Sequence, residues 1–444
     1  MRRIAVLVFS VLFSSAIGFA ALTAEQRRDS LASFDQVWST VRDKHWDTSL
    51  NGVDWAAVRD QLRPRVEKAQ SESEVRAIIG DMLSRLHQSH YAVIPGSVYR
   101  DVENRGEGTG SDLNGANTSP DGTVGIDVRV INQEALVVSV EPGSSAKEQG
   151  VAPGWIVRRI GDEEMMPVLQ RVGSTYRDST MRDMMLARSV SSRLEGPVSN
   201  PVEVEFQTSK DKLELLSLNR RGFRGTPAKF GYLPEEHVWF ETRRIATDVN
   251  YIAFNFFLDP NTLIPSFQDS VRGCAGCAGI VVDLRGNPGG IGVLAMGLAG
   301  YFIDKPSQKL GTMYMRDLPL KFVVNPRPPV FEGKVAVLID GLSASTSEIF
   351  AGGLQDLNRA RIFGSRSAGA ALPSMIERLP DGDGFQYAAA SYKSESGKVL
   401  EGAGVTPDEP VALTRAALLA GRDPALEAAV RWIHEQSPKG NETR

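Results

Sequence analysis

Cysteine and histidine are scarce in this 444-residue chain, which holds 2 Cys and 5 His. Two thiols cannot knit a disulfide framework or build a zinc-finger array, and so few imidazoles leave little room for a His-based metal centre. No long basic run occurs, and 50 Lys and Arg stand against 54 Asp and Glu for a formal net charge of −4. That balance excludes the electrostatic footprint of a constitutive nucleic-acid binder. Beyond the first two dozen residues no apolar run reaches about 18 residues, so no later segment reads as a membrane span. What remains is ordinary: 42% hydrophobic, 23% charged, 42 Gly and 24 Pro, which fits neither disorder, collagen nor a coiled coil. At roughly 150 residues per domain the length suggests about three domains.

Residues 1–24 read as a secretory signal peptide. Met1-Arg2-Arg3 is a short basic start, Ile4 to Phe13 is almost wholly apolar, and small residues follow through Gly18, Ala20 and Ala21. Cleavage after Ala20 removes two Arg and no acid, taking the net charge from −4 to −6. No Cys lies nearby for lipid attachment. The expectation is an exported protein, periplasmic or secreted, with no stable membrane span once the signal is removed.

Along the rest of the chain the pattern changes three times. Apolar residues recur at helical spacing in three runs: Leu31, Phe34, Trp38 and Val41; Trp55, Val58 and Leu62; and Val75, Ile78, Ile79, Met82, Leu83 and Leu86. This predicts a small helical region over 25–95, with Ser71 and Glu74 spaced as a capping box ahead of the third run. Residues 96–121, rich in Gly and Asn, read as a linker. From 122 to 220 the signal is β-like with one short helix after Glu141-Pro142-Gly143-Ser144. The order of these strands resembles a PDZ domain, whose groove takes an extended C-terminus by strand addition; the resemblance puts peptide binding at Val124, Gly125 and Ile126. Trp155 departs from it, standing where the family commonly has Asp. Residues 221–436 alternate strand and helix, with Tyr251–Phe254, Gly279–Asp283 and Val335–Ile339 as buried strands of an α/β core, and 437–444 as a polar tail.

Two segments carry the chemistry. Gly341-Leu342-Ser343-Ala344-Ser345-Thr346-Ser347-Glu348 follows an apolar strand directly, and a strand, a tight turn and a helix start can present a serine where backbone N–H groups favour developing negative charge. An ordinary Ser-rich helix cap has the same look. Asp283-Leu284-Arg285-Gly286-Asn287-Pro288-Gly289-Gly290 ends another strand; adjacent glycines let the backbone turn its N–H groups inward, as an oxyanion hole requires. This segment lacks the Lys-Ser/Thr ending of a phosphate-binding loop and the spacing of a dinucleotide fingerprint. No cofactor and no metal is expected. Cys274-Ala275-Gly276-Cys277 sits in a turn before a core strand, where a disulfide can close in an oxidising compartment; the fold expected of a thioredoxin-like redox site is missing around it.

The two segments, with Asn250-Tyr251-Ile252, Gln355-Asp356, Arg359-Ala360 and Glu401-Gly402-Ala403-Gly404-Val405-Thr406-Pro407-Asp408 in the same order, resemble the C-terminal processing (tail-specific) serine peptidases. The resemblance implies a helical N-terminal region, a PDZ domain and a Clp protease/crotonase-like α/β core. It places the nucleophile at Ser345, the oxyanion donors at Gly289 or Gly290 and at Thr346, and a supporting role at Asp356.

One departure matters. In the Ser–Lys branch of that family the position taken here by Ala370 holds the catalytic lysine, and Lys393 and Lys398 read as solvated surface residues. A serine without a base is a poor nucleophile near neutral pH. A second branch, which includes the tricorn core protease, draws a histidine from the helical N-terminal region in a short Ser-His motif. Leu86-His87-Gln88-Ser89-His90-Tyr91 stands at that place, so the resemblance makes His90 the base, Ser89 its helper and Glu401 the third carboxylate. The expected function is an exported serine endopeptidase acting on polypeptides or protein C-termini. The alternative is a catalytically inactive relative that binds peptides through the PDZ groove and the cleft.

Overall fold

The structure, a computed structural model, describes residues 22–86, 91–96, 121–229, 236–371 and 374–435, apart from Asp178, Thr180, Asp317 and Ala389. The signal-peptide assignment, most of the 96–121 linker, the 437–444 tail, and Ser89 and His90 lie outside the described residues.

Each of the three helical runs forms a helix: Ala24–Lys44, Trp55–Lys68 and Glu72–Ser84. Their apolar stripes meet in one cluster that includes Phe34, Val37, Trp55, Leu62, Ile79 and Met82. Ser71 accepts the N–H of Glu74 at 3.2 Å, as a capping box requires, but the Glu74 carboxylate turns to the N–H of Gln70 at 2.8 Å. The same cluster runs on into Leu379, Phe385 and Tyr387 of the distant C-terminal half. The strand Ala92–Ile94 completes the join by pairing antiparallel with Gly384–Ala388, and the Tyr91 hydroxyl donates to Ala388 O at 2.8 Å. Chain on both sides of residues 87–90 is therefore packed against the C-terminal half.

Residues 122–222 form a β-rich module closed at its ends by pairing of Gly122–Thr123 with Arg221–Gly222. Its sheet runs in the order Ile126–Ile131, Glu134–Val140, Ile156–Ile160, Pro201–Gln207, Leu213–Asn219, with every neighbour antiparallel. Besides the expected short helix Ser145–Glu148, the module holds two longer ones, Met165–Thr175 and Arg182–Leu194, which the strand-like reading of 122–220 overlooked. Their buried positions, Met165, Val168, Leu169 and Val172, then Met185, Leu186 and Val190, do follow helical spacing. Ile126–Ile131 lies at the sheet edge, with the helix Arg182–Leu194 packed against it.

The C-terminal half is built on a six-stranded sheet ordered Phe240–Ala246, Val249–Phe254, Gly279–Asp283, Lys334–Ile339, Ala360–Gly364, Glu409–Pro410. The first pair is antiparallel and the rest are parallel. Strands buried on both faces read as unbroken apolar runs, and the inner strands do so here. One face is covered by the helices Pro260–Arg272, Gly292–Ala299 and Thr346–Asp356, through Phe267, Leu298 and Phe350 among others. The other is covered by Pro424–Glu435, through Ala425, Ala429 and Ile433. Cys274 and Cys277 form a disulfide beyond the end of the helix Pro260–Arg272. Among the described residues no helix is long and apolar enough to cross a membrane, and no cluster of His, Cys, Asp and Glu could hold a metal ion.

Candidate active site

The parallel strands Gly279–Asp283 and Lys334–Ile339 end side by side, so the turns that follow them meet at one edge of the sheet. Asp340 opens the second turn and knits it to the first. Its Oδ1 accepts the N–H groups of Gly286 at 2.9 Å and Leu342 at 3.0 Å, and its Oδ2 accepts Arg129 Nε at 2.6 Å. Burial opposes the Asp340 charge, but the Arg129 guanidinium and these N–H donors outweigh it and hold the carboxyl below its usual range. Ser343, fully buried, donates to Leu284 O at 2.7 Å. Asn287 works from the other side: its carbonyl accepts Ala344 N–H at 3.1 Å and the Ser347 hydroxyl at 2.9 Å. The two turns thus form one hydrogen-bonded unit.

Ser345 sits at the head of the helix Thr346–Asp356 with φ 52° and ψ −116°. An L-residue enters that region only when its surroundings hold it there, at a cost on the order of 1–3 kcal/mol. The Ser345 N–H is shared between Ala370 O at 2.8 Å and Glu348 Oε2 at 3.0 Å. The half-buried serine heads the helix in a capping box with Glu348, its side chain accepting from the Glu348 N–H and its own N–H donating to the Glu348 carboxylate, but on a positive-φ backbone rather than the extended one usual at an N-cap.

Gly289 lies against it, and Gly290 against Phe257. A Cβ on Gly289 would fall 2.8 Å from both Ser345 Cβ and Thr346 N, and its φ of +103° also favours glycine. The Gly289 N–H is already bound to Asn287 Oδ1 at 2.9 Å, so of the two glycines named from the sequence it is the one whose donor is engaged. No described residue accepts the N–H of Gly290 or of Thr346, while the Thr346 hydroxyl donates to Gly290 O at 2.8 Å. Among the described residues these two N–H groups have no acceptor; Thr346 follows Ser345 directly, and Gly290 is joined to Thr346 through that hydroxyl.

Glu348, one helical turn after Ser345, is fully buried and accepts four donors: the Ser367 hydroxyl at 2.6 Å and the N–H groups of Gly369 at 2.8 Å, Ala370 at 2.9 Å and Ser345 at 3.0 Å. Burial pushes its pKa up to about 7 against the pull of these donors, and the nearby Glu401 charge adds to the rise. Both Glu401 carboxylate oxygens are buried. Burial, and then the Glu401 charge, raise the pKa of Tyr91, the residue following His90. The segment carrying Glu401 is tied to the segment beside Ser345 by Gly402 N–H to Gly369 O at 2.8 Å and Val405 N–H to Ser367 Oγ at 2.6 Å.

The other residues singled out from the sequence fall elsewhere. Asp356 accepts Ser396 N–H at 3.1 Å and Lys398 Nζ at 3.0 Å at the far end of the helix Ser345 heads, about 16 Å along its axis. Its support is to that end of the helix, and Lys398 is spent there. Lys393 is exposed, its ammonium 5.9 Å from the Tyr314 ring centroid. Gln355 binds Thr406 O and Asp408 Oδ1, which anchors the end of the Glu401 to Asp408 stretch. Val124 and Gly125 precede the edge strand that starts at Ile126; their carbonyls accept the N–H groups of Ala146 and Glu141. Arg129 of that strand is the residue bound to Asp340. The sequence reading passed over Asp340 and Arg129 because their partners are distant in the chain. Glu348 stood inside the quoted segment, but its burial could not be read there.

Residues 248–411 match the peptidase family S41 model and residues 27–84 match the tricorn protease C1 domain. The chain is 24% identical over 388 residues to the chloroplastic carboxyl-terminal-processing peptidase 2 of Arabidopsis thaliana, covering 85% of this chain and 68% of that protein. It is 25% identical over 381 residues to a carboxyl-terminal-processing protease of Picosynechococcus sp., covering 85% and 82%. Among solved structures the photosystem II D1 C-terminal processing protease shares the fold with a TM-score of 0.51 at 22% identity, over 92% of this chain and 97% of that one. Mature CPAF complexed with lactacystin does so with a TM-score of 0.54 at 13% identity, over 92% and 97%. Residues 248–411 thus match peptidase family S41 and residues 27–84 the tricorn protease C1 domain, and most of the chain is similar to carboxyl-terminal-processing proteases.

Proposed function

We propose that this protein is an exported serine endopeptidase that cleaves peptide bonds through an acyl-enzyme on Ser345, and that its β-rich module is a PDZ domain recognising polypeptide C-termini. The observation that carries the reading is the backbone of Ser345, held at φ 52° and ψ −116° next to the Thr346 N–H and against the turn of Gly289. Ser345 caps its helix, but an ordinary N-cap is extended, and a nucleophile presented to a carbonyl is a reason to hold the strained conformation instead.

In the reaction, His90 takes the Ser345 Oγ proton as Oγ adds to the substrate carbonyl carbon, with Ser89 orienting the imidazole and Glu401 compensating its charge. The oxyanion lies on the Gly290 and Thr346 N–H groups. The C–N bond then breaks, the amine leaves with the proton from His90, and water hydrolyses the ester by the same route. Three points support His90: the position a Ser–Lys enzyme would use holds Ala370, Lys393 and Lys398 are engaged or exposed elsewhere, and Tyr91, the next residue, lies within the field of Glu401.

Recognition of C-termini rests on the edge position of Ile126–Ile131, which leaves one side of the strand for a substrate strand beside the helix Arg182–Leu194. The disulfide Cys274–Cys277 suits an oxidising compartment and so supports export. The test is a fluorophosphonate label with peptide mapping, run beside hydrolysis of a polypeptide substrate. Label on Ser345, lost in Ser345→Ala and in His90→Ala together with hydrolysis, supports the reading. Cleavage that persists in Ser345→Ala overturns it, and an inert Ser345 in the native chain favours a peptide-binding protein without activity.

A further inference from the structure

The four donors on Glu348 come from two segments of the chain, one of which leads into a third. Ser345 belongs to the turn after the strand Lys334–Ile339, and Ser367, Gly369 and Ala370 belong to the segment that faces it. Through Ser367 Oγ, which accepts Val405 N–H, and Gly369 O, which accepts Gly402 N–H, the same carboxylate reaches the stretch that carries Glu401. A buried carboxylate is costly unless it is well bound, and this one has four hydrogen bonds but no salt bridge among the described residues. The charged group facing it is Glu401, which works against it; Ser345, Ser367, Gly369 and Ala370 bring no charge. The expense is difficult to explain as stability alone, since an apolar side chain would pack there without desolvating a charge.

Resting on the reading of Ser345 as nucleophile, we propose that Glu348 is a positioning residue. Its ionised carboxylate pins the Ser345 backbone to the 367–370 segment and, through it, to the Glu401 stretch, in the register the reaction uses. Four donors converge on two oxygens, and an ionised carboxylate is an acceptor at every one of its lone pairs. A protonated acid brings a hydrogen into a ring of hydrogens and gives up a bond. Glutamine has the same shape but turns an NH2 group towards two of the donors. The constraint on Ser345 then loosens, and displacing a nucleophile by about 1 Å can cost on the order of 100-fold in rate. The Glu348 carboxylate touches neither substrate nor the reacting atoms in this account; it acts through the Ser345 backbone.

The experiment compares the full native chain with Glu348→Gln and Ser367→Ala in steady-state peptide hydrolysis as a function of pH, and in backbone amide exchange at Ser345, Gly369 and Ala370. The expected result for Glu348→Gln is a fall in kcat of about 100-fold with KM retained, an acidic limb of the kcat profile reduced to the ionisation of His90 alone, and faster exchange at all three amides. Ser367→Ala, which keeps the charge and removes one donor, moves kcat and exchange the same way by less, and stands in if Glu348→Gln does not fold. Unchanged kcat and pH profile in both variants overturn the proposal, as do unchanged exchange rates. Amide exchange needs no turnover, so it separates the two failures: if the native chain neither cleaves peptide nor takes the label, the nucleophile reading falls and the positioning role with it, while exchange still reports whether the carboxylate holds the three segments.

Discussion

Arg129 and Asp340 join the β-rich module to the turn that presents Ser345, with Arg129 Nε 2.6 Å from Asp340 Oδ2. The arginine also meets Asp127 Oδ1 at 2.7 Å and is almost wholly buried. Asp340 in turn holds the N–H groups of Gly286 and Leu342, so one carboxylate supports both turns of the candidate site and the contact between the two units.

Removing one partner of such a pair leaves the other charge buried alone. Arg129→Ala should therefore destabilise the protein by about 3–5 kcal/mol, measured as the shift in urea unfolding. Replacing both residues together with apolar ones of similar volume should cost less than the single change. If Arg129→Ala unfolds at the native urea concentration, the pair contributes nothing to holding the module on the turn.

Gly289 separates a requirement of shape from a requirement of hydrogen bonding. Its N–H is already bound to Asn287, but an added methyl would fall 2.8 Å from Ser345 Cβ and Thr346 N. Gly289→Ala should push the serine away from its donors and reduce kcat by about 100- to 1,000-fold, the range associated with losing one oxyanion donor. Hydrolysis kinetics with a labelled peptide check this. Native kcat in Gly289→Ala would mean that the close approach of the two turns is not needed.

The sequence was most legible where structure is local. Three apolar stripes at helical spacing became three helices, and unbroken runs such as Gly279–Asp283 became strands buried on both faces. The helices Met165–Thr175 and Arg182–Leu194 were overlooked because they lie between strands whose alternation dominated the reading. In the candidate site, the Ser345 segment and the Gly289-Gly290 turn announced themselves by small residues after apolar strands. Asp340 and Arg129 did not, because a salt bridge spanning 211 positions leaves no mark on either local pattern. Glu348 was visible as a letter in a motif, but what distinguishes it is complete burial, which only the packed fold supplies.

Ala370 tests whether the missing lysine can be put back. The residue is 4% exposed and shares a buried cluster with Met181, Met185 and Leu186 of the β-rich module, while its backbone serves both Ser345 and Glu348. A lysine there has to enter a packed apolar environment, so Ala370→Lys should cost about 1–3 kcal/mol from overpacking, with desolvation of the ammonium added. It should also fail to restore hydrolysis in a His90→Ala background. Recovery of native activity in the double variant would show that the site accepts a Ser–Lys arrangement after all.

The pH dependence of stability should carry the mark of Glu348. Its pKa lies at about 7 in the folded chain against an ordinary 4.5, chiefly because burial disfavours the charge. Between those values the folded state keeps a proton that the unfolded state has released, so stability falls as pH rises. The contribution is fully present below about 4.5 and is lost by the time the pH has passed 7, on the order of 3 kcal/mol in all. Other groups titrate over the same range, so the quantity to measure is the difference in unfolding free energy between the native chain and Glu348→Gln, followed from pH 4.5 to 8 by urea denaturation. The native chain should lose ground to the variant as pH rises through that window. A difference that stays constant across it would mean Glu348 ionises at its ordinary pH. The direction is opposite to that expected for turnover, because the form that packs most cheaply is the protonated one and the form that accepts all four donors is the ionised one. A site arranged only for stability would have no reason to keep an acid there.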